Sequence, residues 1–306
     1  MSGIITGIGA NVFDTLMIMP EYPKEDTKIY ADRVLKSGGG PCATGLVAAA
    51  RLGAKSSWIG VLTDDEGGRF LYDDFIKYGV SVDNIDRIPG RESFSSLVLL
   101  NSATGSRTCL LNRGNLPSVQ LDAAKIRAIE EADILMIDGN YLDAAVEGAK
   151  IARRSGTKVL YDAGGLYKGV EQLLELTDYL IPSEHFGLTF TGKNEVQEAA
   201  QDLFERFHPE MVAITTGSTG GVLYDGKSTS RWPVFKVDAI DSNGAGDVFH
   251  GAFAYAMIQN WDYRTATLFA SAVSAIKCTK PGARAGVPSL QQTITFLKEQ
   301  GYDGIH

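Results

Sequence analysis

The chain has 306 residues, a formal net charge of −8 and 44% hydrophobic residues, so it is long enough for a full core and too apolar to be disordered. No uncharged apolar run reaches the ~20 residues of a bilayer span, and Lys and Arg are scattered, which argues against a membrane protein and against a nucleic-acid surface. The three cysteines form no CxxC pair and the amino terminus MSGIITGIG lacks the basic residues and cleavage site of a signal peptide, so we expect a cytoplasmic protein without a disulfide framework or zinc site.

The amino-terminal part begins with a buried strand, Ile4 to Gly9. Asp14 follows just beyond its carboxyl end, where open α/β sheets bind ligands, although an ordinary turn aspartate is the alternative. Short alternating pieces between residues 15 and 36 predict a small strand excursion from the main sheet. Three glycines in Ser37 to Gly40 precede a predicted helix over residues 42–52, which indicates either close approach of the backbone to a ligand or a flexible hinge.

Two alternating segments, Ser95 to Asn101 and Arg107 to Asn112, flank a hairpin-like turn and, with residues 15–36, predict a small second sheet. From Asp122 onward helices and strands alternate, which predicts a mostly parallel sheet with helices on both faces. The remaining predicted elements are the strands Ser57–Leu62, Ile134–Ile137, Lys158–Tyr161, Tyr179–Ile181 and Met211–Thr215, the helices Glu66–Tyr78, Ala123–Glu131, Ala144–Arg154, Val170–Leu176, Glu195–Phe207, Tyr263–Lys277 and Leu290–Leu297, and a loop at Gly187–Asn194.

The stretch DSNGAGD, Asp241 to Asp247, lies between a predicted strand over Phe235 to Ile240 and a predicted apolar helix over Val248 to Ile258. Its glycines and the free N–H groups of the first helical turn are suited to hold an anion. A carboxylate at Asp247 would be repelled by bound phosphate, unless it takes a proton from a hydroxyl that attacks that phosphate. The alternative is a capped helix after a tight turn, with Asp247 favoured by the helix dipole.

Two other features are ambiguous from the sequence. The loop TGSTGG, Thr216 to Gly221, could line a nucleotide site or form a hairpin turn. His250 lies in an apolar helix, which is more typical of a packed core histidine than of a catalyst.

DSNGAGD resembles the signature DTxGAGD of the ribokinase, or PfkB, family of sugar kinases. The resemblance covers almost the whole chain and keeps the family order. Its further matches are Gly39 and Gly40 through Arg51, Leu52 and Gly53, which match the family signature GGxxxNxAxxxARLG, then Asp64, Asp65 and Gly67, the GVS at Gly79, and the loop KPGARAGVP at Lys280 to Pro288.

The resemblance implies a single ribokinase-like domain over residues 1–306, with a three-layer α/β fold, a mostly parallel central sheet and a small β-sheet lid formed by about residues 15–36 and 95–112. It implies ATP-dependent phosphorylation of a hydroxymethyl group of a small sugar or sugar derivative. ATP, Mg²⁺ and a monovalent cation such as K⁺ would be the cofactors. The lid is also the part through which a homodimer would form.

Site residues follow from the resemblance position by position. Asp247 matches the general base. The other matched positions are Gly244, Ala245 and Gly246 for the anion hole; Asp14, Gly39, Gly40 and Thr44 for the sugar; Thr216, Gly217 and Gly220, with Gly244 and Gly246, for ATP; and Asp241, with the loop 280–287, for the monovalent cation.

The chain departs from the family pattern at two places. Thr44 stands where the family has an asparagine, and the family's magnesium-organising NxxE appears as Ser183 to Phe186, so that Glu184 could act on magnesium only through water. The variants GGGPCAT and KCTKPGARAGVP are most similar to the sulfofructose kinase branch. That branch implies cations near the end of the sugar, for which Lys28 and Arg113 are the candidates, against a solvated lysine and a salt-bridging surface arginine.

Two alternative functions stay open at this point. A nucleoside kinase of the same fold would need an aromatic slot for a base, which Phe13, Tyr30 and Phe94 could supply. A non-catalytic sugar-binding sensor would explain the altered Ser183 to Phe186 segment, although a sensor has no use for a base at Asp247.

Overall fold

The computed structural model describes residues 3–305, within which the chain forms fourteen strands, ten α-helices and one 3₁₀ helix. The strands are β1 (Ile4–Ile8), β2 (Val12–Met19), β3 (Arg33–Gly39), β4 (Lys55–Leu62), β5 (Val80–Ser81), β6 (Ile85–Arg87), β7 (Ser95–Asn101), β8 (Arg107–Asn112), β9 (Ile134–Ile137), β10 (Lys158–Ala163), β11 (Tyr179–Pro182), β12 (Met211–Thr215), β13 (Gly221–Tyr224) and β14 (Thr229–Trp232). The helices are α1 (Pro41–Leu52), α2 (Glu66–Tyr78), α3 (Ala123–Glu130), α4 (Leu142–Ser155), α5 (Glu171–Leu174), α6 (Glu184–Thr191), α7 (Val196–Phe207), α8 (Ala245–Ile258), α9 (Tyr263–Lys277) and α10 (Leu290–Glu299), and the 3₁₀ helix is Gly217–Thr219.

A ten-stranded sheet forms the middle layer. Its strands lie in the order β14, β13, β12, β11, β10, β9, β1, β4 and β5, with β6 also paired to β4. All neighbouring pairs from β12 to β5 are parallel, and β13 and β14 add an antiparallel edge. Side chains of α1, α2, α8, α9 and α10 build the core on one face, and those of α3 to α7 build it on the other. This confirms the predicted three-layer α/β fold.

The inner strands form where the sequence places short apolar runs. Ile134–Ile137 is buried at every position, and Met211–Thr215 is buried at all but its last, as expected for parallel strands covered on both faces. Among residues 3–305, no helix combines the length and the apolar character needed to cross a bilayer. The predicted extent of the domain, 1–306, includes residues 1, 2 and 306, which lie outside the described residues.

A separate four-stranded sheet, in the order β3, β2, β7, β8, arises from the predicted segments 15–36 and 95–112. It extends further than predicted, from Val12 to Gly39, so that Asp14 is a strand residue and not a turn aspartate. Asp14 lies directly opposite Ser96, and alternation places both on one face with Arg107. That face is turned toward the DSNGAGD stretch, because Arg107 Nη1 donates to Ser242 Oγ over 2.9 Å.

Two predicted elements were wrong. Phe235–Ile240 is irregular, because the last strand ends at Trp232 and is followed by Pro233, which has no N–H to donate to a sheet. Gly187–Asn194 is largely helical rather than a loop. The helix α6 begins after Ser183, whose Oγ accepts the N–H of Phe186 over 3.1 Å, and it ends at Gly192 with a φ of 70°.

Small residues let α1 and α8 approach each other closely. A Cβ on Gly251 would lie 1.9 Å from the carbonyl oxygen of Gly45, and a Cβ on Gly45 would lie 3.1 Å from that of Asp247. This packing holds the first turn of α8 against the first turn of α1. The glycines of residues 38–40 and the GAGD turn are thereby brought to the same end of the molecule.

Candidate active site

The DSNGAGD turn ends in the first turn of α8, with Gly244 as the N-cap at a φ of 76°. The N–H of Ala245 donates to the carbonyl of Ser242 over 3.2 Å. The N–H groups of Gly246 and Asp247 have no acceptor among residues 3–305, and a Cβ on Gly246 would meet no atom within 4 Å. The helix therefore presents two free donors and its positive dipole end to an open space, which is an arrangement that binds anions.

The Asp247 carboxylate lies beside this space, half-buried at the third position of α8. Within the described part of the chain no group donates a hydrogen bond to it. Burial raises the pKa of Asp247, and the nearby charges of His250, Arg107, Lys277 and Arg284 oppose that rise. A carboxylate with free lone pairs and increased basicity is suited to accept a proton from a ligand.

Asp14 faces Asp247 from the small sheet and is 5% exposed. Its Oδ1 accepts the Ser96 hydroxyl over 2.6 Å. Burial raises its pKa to about 6, the Ser96 hydrogen bond and Arg284 lower it, and Asp247 is among the charges that raise it. Asp14 and Asp247 therefore each raise the electrostatic cost of ionising a buried carboxylate in this part of the molecule.

The glycines before α1 support close approach rather than a free hinge. A Cβ on Gly39 would lie 2.0 Å from Oδ2 of Asp14. Gly40 has a φ of 90°, and a Cβ there would lie 2.4 Å from the carbonyl oxygen of Ala10. Thr44 is fully buried beneath Arg284, whose Nε lies 3.4 Å from its hydroxyl, so its contact in this structure is with the protein.

Arg284 is a central residue of the site that the sequence analysis missed. It is 1% exposed and forms an ion pair with Asp74 over 2.7 Å. Its Nη2 donates to Oδ1 of Asn11 over 2.8 Å and to the carbonyl of Gly39 over 2.7 Å. The residue thereby ties the KPGARAGVP loop to Asn11, to the end of β3 and to α2. A single arginine in a loop carries no local signal of such partners.

Asp138 and Asn140 were missed as well. Asp138 Oδ2 accepts the N–H groups of Ala10 and Cys42 over 2.8 and 3.0 Å, and its Oδ1 accepts the N–H of Asn140 over 2.9 Å. A signal was present, because Asp138 directly follows the buried strand β9, at the carboxyl end of a strand where open α/β sheets bind ligands.

The two cationic residues predicted near the end of the sugar, Arg113 and Lys28, differ in whether neighbouring groups position them. Arg113 Nη1 donates to Oδ1 of Asn140 over 3.2 Å, and its guanidinium lies 5.6 and 5.9 Å from the ring centres of Phe94 and Tyr167. Lys28 is exposed in the irregular segment between β2 and β3. Arg113 is therefore positioned by its neighbours, whereas Lys28 is not.

Asp241 is 1% exposed, and backbone donors occupy its carboxylate: Oδ1 accepts the N–H of Asn243 and Oδ2 that of Gly282, each over 2.8 Å. These bonds join the DSNGAGD turn to the KPGARAGVP loop. Lys277 Nζ donates to the carbonyl of Asp241 over 2.9 Å and also to that of Asn243. The carbonyls of Asp241 and Asn243 in the turn thus face an ammonium group.

His250 is buried beneath the GAGD turn, which agrees with the expectation of a packed histidine. Its Nδ1 lies 2.6 Å from the carbonyl oxygen of Gly246 and 3.2 Å from Oδ2 of Asp162, and its Nε2 lies 2.9 Å from the carbonyl oxygen of Ile181. Burial raises the pKa of Asp162 to about 7, and the His250 charge lowers it. The pair fixes the turn against the ends of β10 and β11.

The predicted nucleotide loop lies next to the ends of these strands. Thr216, Gly217 and Gly220 are in the connection between the antiparallel strands β12 and β13, which confirms the hairpin interpretation of this loop. A parallel bridge joins Ser183 to Thr215, which places the exposed Glu184 and the start of the loop side by side. Among residues 3–305, no group of three His, Cys, Asp or Glu side chains is placed to hold a metal ion by itself.

The model of the pfkB family carbohydrate kinases matches residues 10–290. The ribokinase of Haemophilus influenzae is 28% identical over 305 residues, which cover 97% of this chain and 99% of that protein. Arabidopsis thaliana ribokinase complexed with ribose and ATP superposes with a TM-score of 0.86 at 22% identity and covers 97% of this chain and 99% of its own. Fructokinase with bound ATP from Xylella fastidiosa has a TM-score of 0.81 at 23% identity and covers 98% and 100%. The two solved structures establish the fold.

Proposed function

We propose, since this chain belongs to the pfkB family of carbohydrate kinases, that it transfers the γ-phosphoryl group of ATP to a hydroxymethyl group of a small sugar or sugar derivative. One observation carries the assignment of the site. The unpartnered Asp247 carboxylate lies beside two N–H groups that have no acceptor in residues 3–305. A base and an anion hole side by side are what phosphorylation of a hydroxyl requires.

Asp247 acts as the general base in this proposal. The acceptor hydroxyl donates a hydrogen bond to the carboxylate, and its proton passes to a carboxylate oxygen as the new O–P bond forms. The bond between the γ-phosphorus and the bridging oxygen breaks, and ADP leaves with that oxygen. The raised pKa of Asp247 supports the role, because it brings the basicity of the carboxylate nearer to neutral pH.

The N–H groups of Gly246 and Asp247 stabilise the negative charge of the transferring phosphoryl group. They are the donors left free at the start of α8, whereas the N–H of Ala245 is engaged by Ser242. Gly244 contributes through its backbone conformation, since its φ of 76° sets the turn. Donors that are fixed before the reaction need no reorganisation as the charge develops.

The acceptor sugar binds between the small sheet and the start of α1. Asp14 accepts hydrogen bonds from sugar hydroxyls, and the lack of a side chain at Gly39 lets the backbone pack directly against its carboxylate. Arg113 meets the far end of the acceptor, because its guanidinium is fixed by Asn140 and by two aromatic rings. A fixed planar guanidinium suits a carboxylate, phosphate or sulfonate on that end, in line with the sulfofructose-type variants of the sequence.

ATP lies along the ends of β11 and β12 in this proposal. Thr216, Gly217 and Gly220 would line it, and the exposed carboxylate of Glu184, next to that loop, would hold magnesium through water. This donor set suits Mg²⁺, which in proteins keeps several waters and takes few carboxylates. Magnesium, when bound, neutralises part of the phosphate charge.

The small sheet serves as a lid over this site. Its inner face carries Asp14 and Arg107, and Arg107 already reaches Ser242 beside the anion hole. A lid in this position excludes water, which would otherwise compete with the sugar for the phosphoryl group.

The outer face of the lid supports a homodimer. Register places apolar side chains side by side on that face. They are Met17, Val34, Leu97, Leu99 and Leu110. Val34 and Leu110 are each 53% exposed in the single chain. A second copy would bury this face, as expected for an exposed apolar patch on a sheet.

The other two functions find less support in the geometry. Phe13 packs on Phe70 with ring centres 5.2 Å apart, Phe94 lies under Arg113 and Tyr30 is 96% exposed, so these rings do not form a slot for a base. A sensor would not need the free carboxylate of Asp247.

The deciding experiment measures ADP release with MgATP and a panel of hexoses, ketoses, pentoses, sugar acids, sugar phosphates, sulfofructose and nucleosides. We expect one acceptor class to give turnover, and Asp247→Asn to lower kcat by about 10²- to 10⁴-fold while sugar binding measured by calorimetry persists. Asp238→Asn, an exposed aspartate before the turn, is the matched control. Near-wild-type turnover of Asp247→Asn would rule out the mechanism. Sugar binding by the wild type without turnover on any member would favour the sensor.

A further inference from the structure

Lys277 is a fully buried cation whose role the reaction scheme above leaves open. It is the last residue of α9 and has no measurable exposure. Its ammonium group donates to the carbonyl oxygens of Asp241 and Asn243, which belong to the first half of the DSNGAGD turn. The charge therefore lies directly beneath the backbone that leads into the anion hole.

This is the place where the family resemblance predicts a monovalent cation. Such an ion is held by carbonyl and carboxylate oxygens that have free lone pairs. Here Lys277 donates to both turn carbonyls, and each oxygen of the Asp241 carboxylate accepts one N–H group, from Asn243 or Gly282. A second cation at the same carbonyls would also be repelled by the ammonium charge. The residues present do not fit a bound K⁺ beneath this turn.

We propose that the Lys277 ammonium group replaces the monovalent cation beneath the anion hole, so that this kinase works without K⁺. The inference rests on the proposed kinase function for its activity readout. An ammonium group carries the same unit charge as K⁺ and offers three donors to inward-pointing carbonyls. Lys277 holds the carbonyls of Asp241 and Asn243 toward the interior of the protein. The N–H groups of Gly246 and Asp247 then remain directed toward the phosphoryl group.

The contacts of Lys277 stabilise its charged form. Burial lowers the pKa of Lys277, and the charges of Asp241 and Asp247 oppose this fall, while the two carbonyl oxygens accept hydrogen bonds from the ammonium group. The carboxyl end of α9, where the residue lies, also favours positive charge. Because the cation is covalently attached and buried, it cannot be lost when the concentration of K⁺ falls.

The test compares the wild type with Lys277→Ala, which leaves room for an ion, and Lys277→Met, which removes the charge but fills the space. Lys298→Met, an exposed lysine in the last turn of α10, is the matched control. Each protein is assayed with the acceptor found in the panel, in choline, Na⁺, K⁺ and NH₄⁺ buffers of equal ionic strength. Thermal unfolding is measured in the same buffers.

We expect the wild type and Lys298→Met to show the same kcat and the same unfolding temperature in all four buffers. Lys277→Ala should lose roughly 10- to 10²-fold in kcat in choline, recover in K⁺ or NH₄⁺, and unfold at a higher temperature in those two salts. Lys277→Met should lose activity in every buffer.

Two outcomes would overturn the proposal: a wild type that is activated several-fold by K⁺, or a Lys277→Ala variant that is unaffected in choline. If no acceptor gives turnover, the kinase proposal has failed, and the unfolding temperatures still decide the role of Lys277. If Lys277→Ala does not fold in choline, recovery of the folded protein in K⁺ or NH₄⁺ supports the proposal and failure in all four salts opposes it.

Discussion

Replacement of Asp14 by Asn tests the electrostatics of the acceptor site. Burial raises the pKa of this carboxyl from 3.8 to about 6. The folded protein therefore holds the proton more tightly than the unfolded chain does. Protonation of Asp14 therefore stabilises the folded protein fully below pH 3.8, and this stabilisation is lost as the pH rises through 6. The amide of the Asp14→Asn variant would not titrate, and its oxygen can still accept the Ser96 hydroxyl that now bonds Asp14.

The size of the effect follows from the shift. A pKa shift of about two units, at ~1.36 kcal/mol per unit, lowers the free energy of unfolding by about 3 kcal/mol at pH 7.5. At pH 4.5, where most of the folded protein carries the proton on Asp14, about 1 kcal/mol remains. Asp14→Asn should therefore be more stable than the wild type, and the difference should shrink by about 2 kcal/mol between pH 7.5 and pH 4.5.

Urea unfolding at pH 4.5, 5.5, 6.5 and 7.5 measures this difference, with Asp73→Asn, an exposed aspartate on α2, as the control for loss of a carboxylate. The same variant should have a higher KM for the acceptor, because the amide cannot replace a carboxylate as acceptor of sugar hydroxyls. A stability difference that does not change with pH, or a less stable variant at pH 7.5, would refute the reasoning. Gain of stability with loss of binding is the expected signature of a functional buried charge.

Two further predictions concern the frame of the site. Arg284→Met leaves Asp74 buried without its partner. It should lower the free energy of unfolding by about 3–5 kcal/mol, and Asp74→Asn should restore part of this loss in the double variant. An unchanged urea midpoint of Arg284→Met would contradict this prediction. Leu110→Asp, on the outer face of the lid, should convert the dimer to a monomer in sedimentation velocity. Ile76 is an exposed apolar residue on α2, and Ile76→Asp should leave the dimer intact. A wild type that sediments as a monomer would contradict the proposed interface.

Local sequence patterns were sufficient to predict the strands that are buried at nearly every position. Ile134–Ile137 and Met211–Thr215 form at the predicted boundaries because apolar runs of that length fit a covered parallel strand. The segment Phe235–Ile240 alternates like a strand but has no neighbour to pair with after Pro233. Alternation reports which side chains are buried, and it does not report whether a partner strand is available.

The glycine turn that leads into the helix start at Gly244 could be predicted because its parts are contiguous: glycines, a helix start and a carboxylate in seven residues. The residues that hold it in place could not. Arg284 bonds Asn11 across 273 positions, and Lys277 bonds Asp241 across 36. In the sequence Lys277 is one basic residue at a predicted helix end and Arg284 is one basic residue in a loop, and such residues are usually solvated. Only the packing shows that both are buried.

These two cations explain how an acidic protein can serve an anionic reaction. The net charge of −8 attracts no phosphate, so positive charge must be local. Lys277 bonds the turn that forms the anion hole, and Arg284 bonds Asn11 and Gly39 on the acceptor side. They are only seven positions apart, at the end of α9 and in the loop after it. In the proposed mechanism this short segment would set the spacing between acceptor and phosphoryl donor, on which in-line transfer depends.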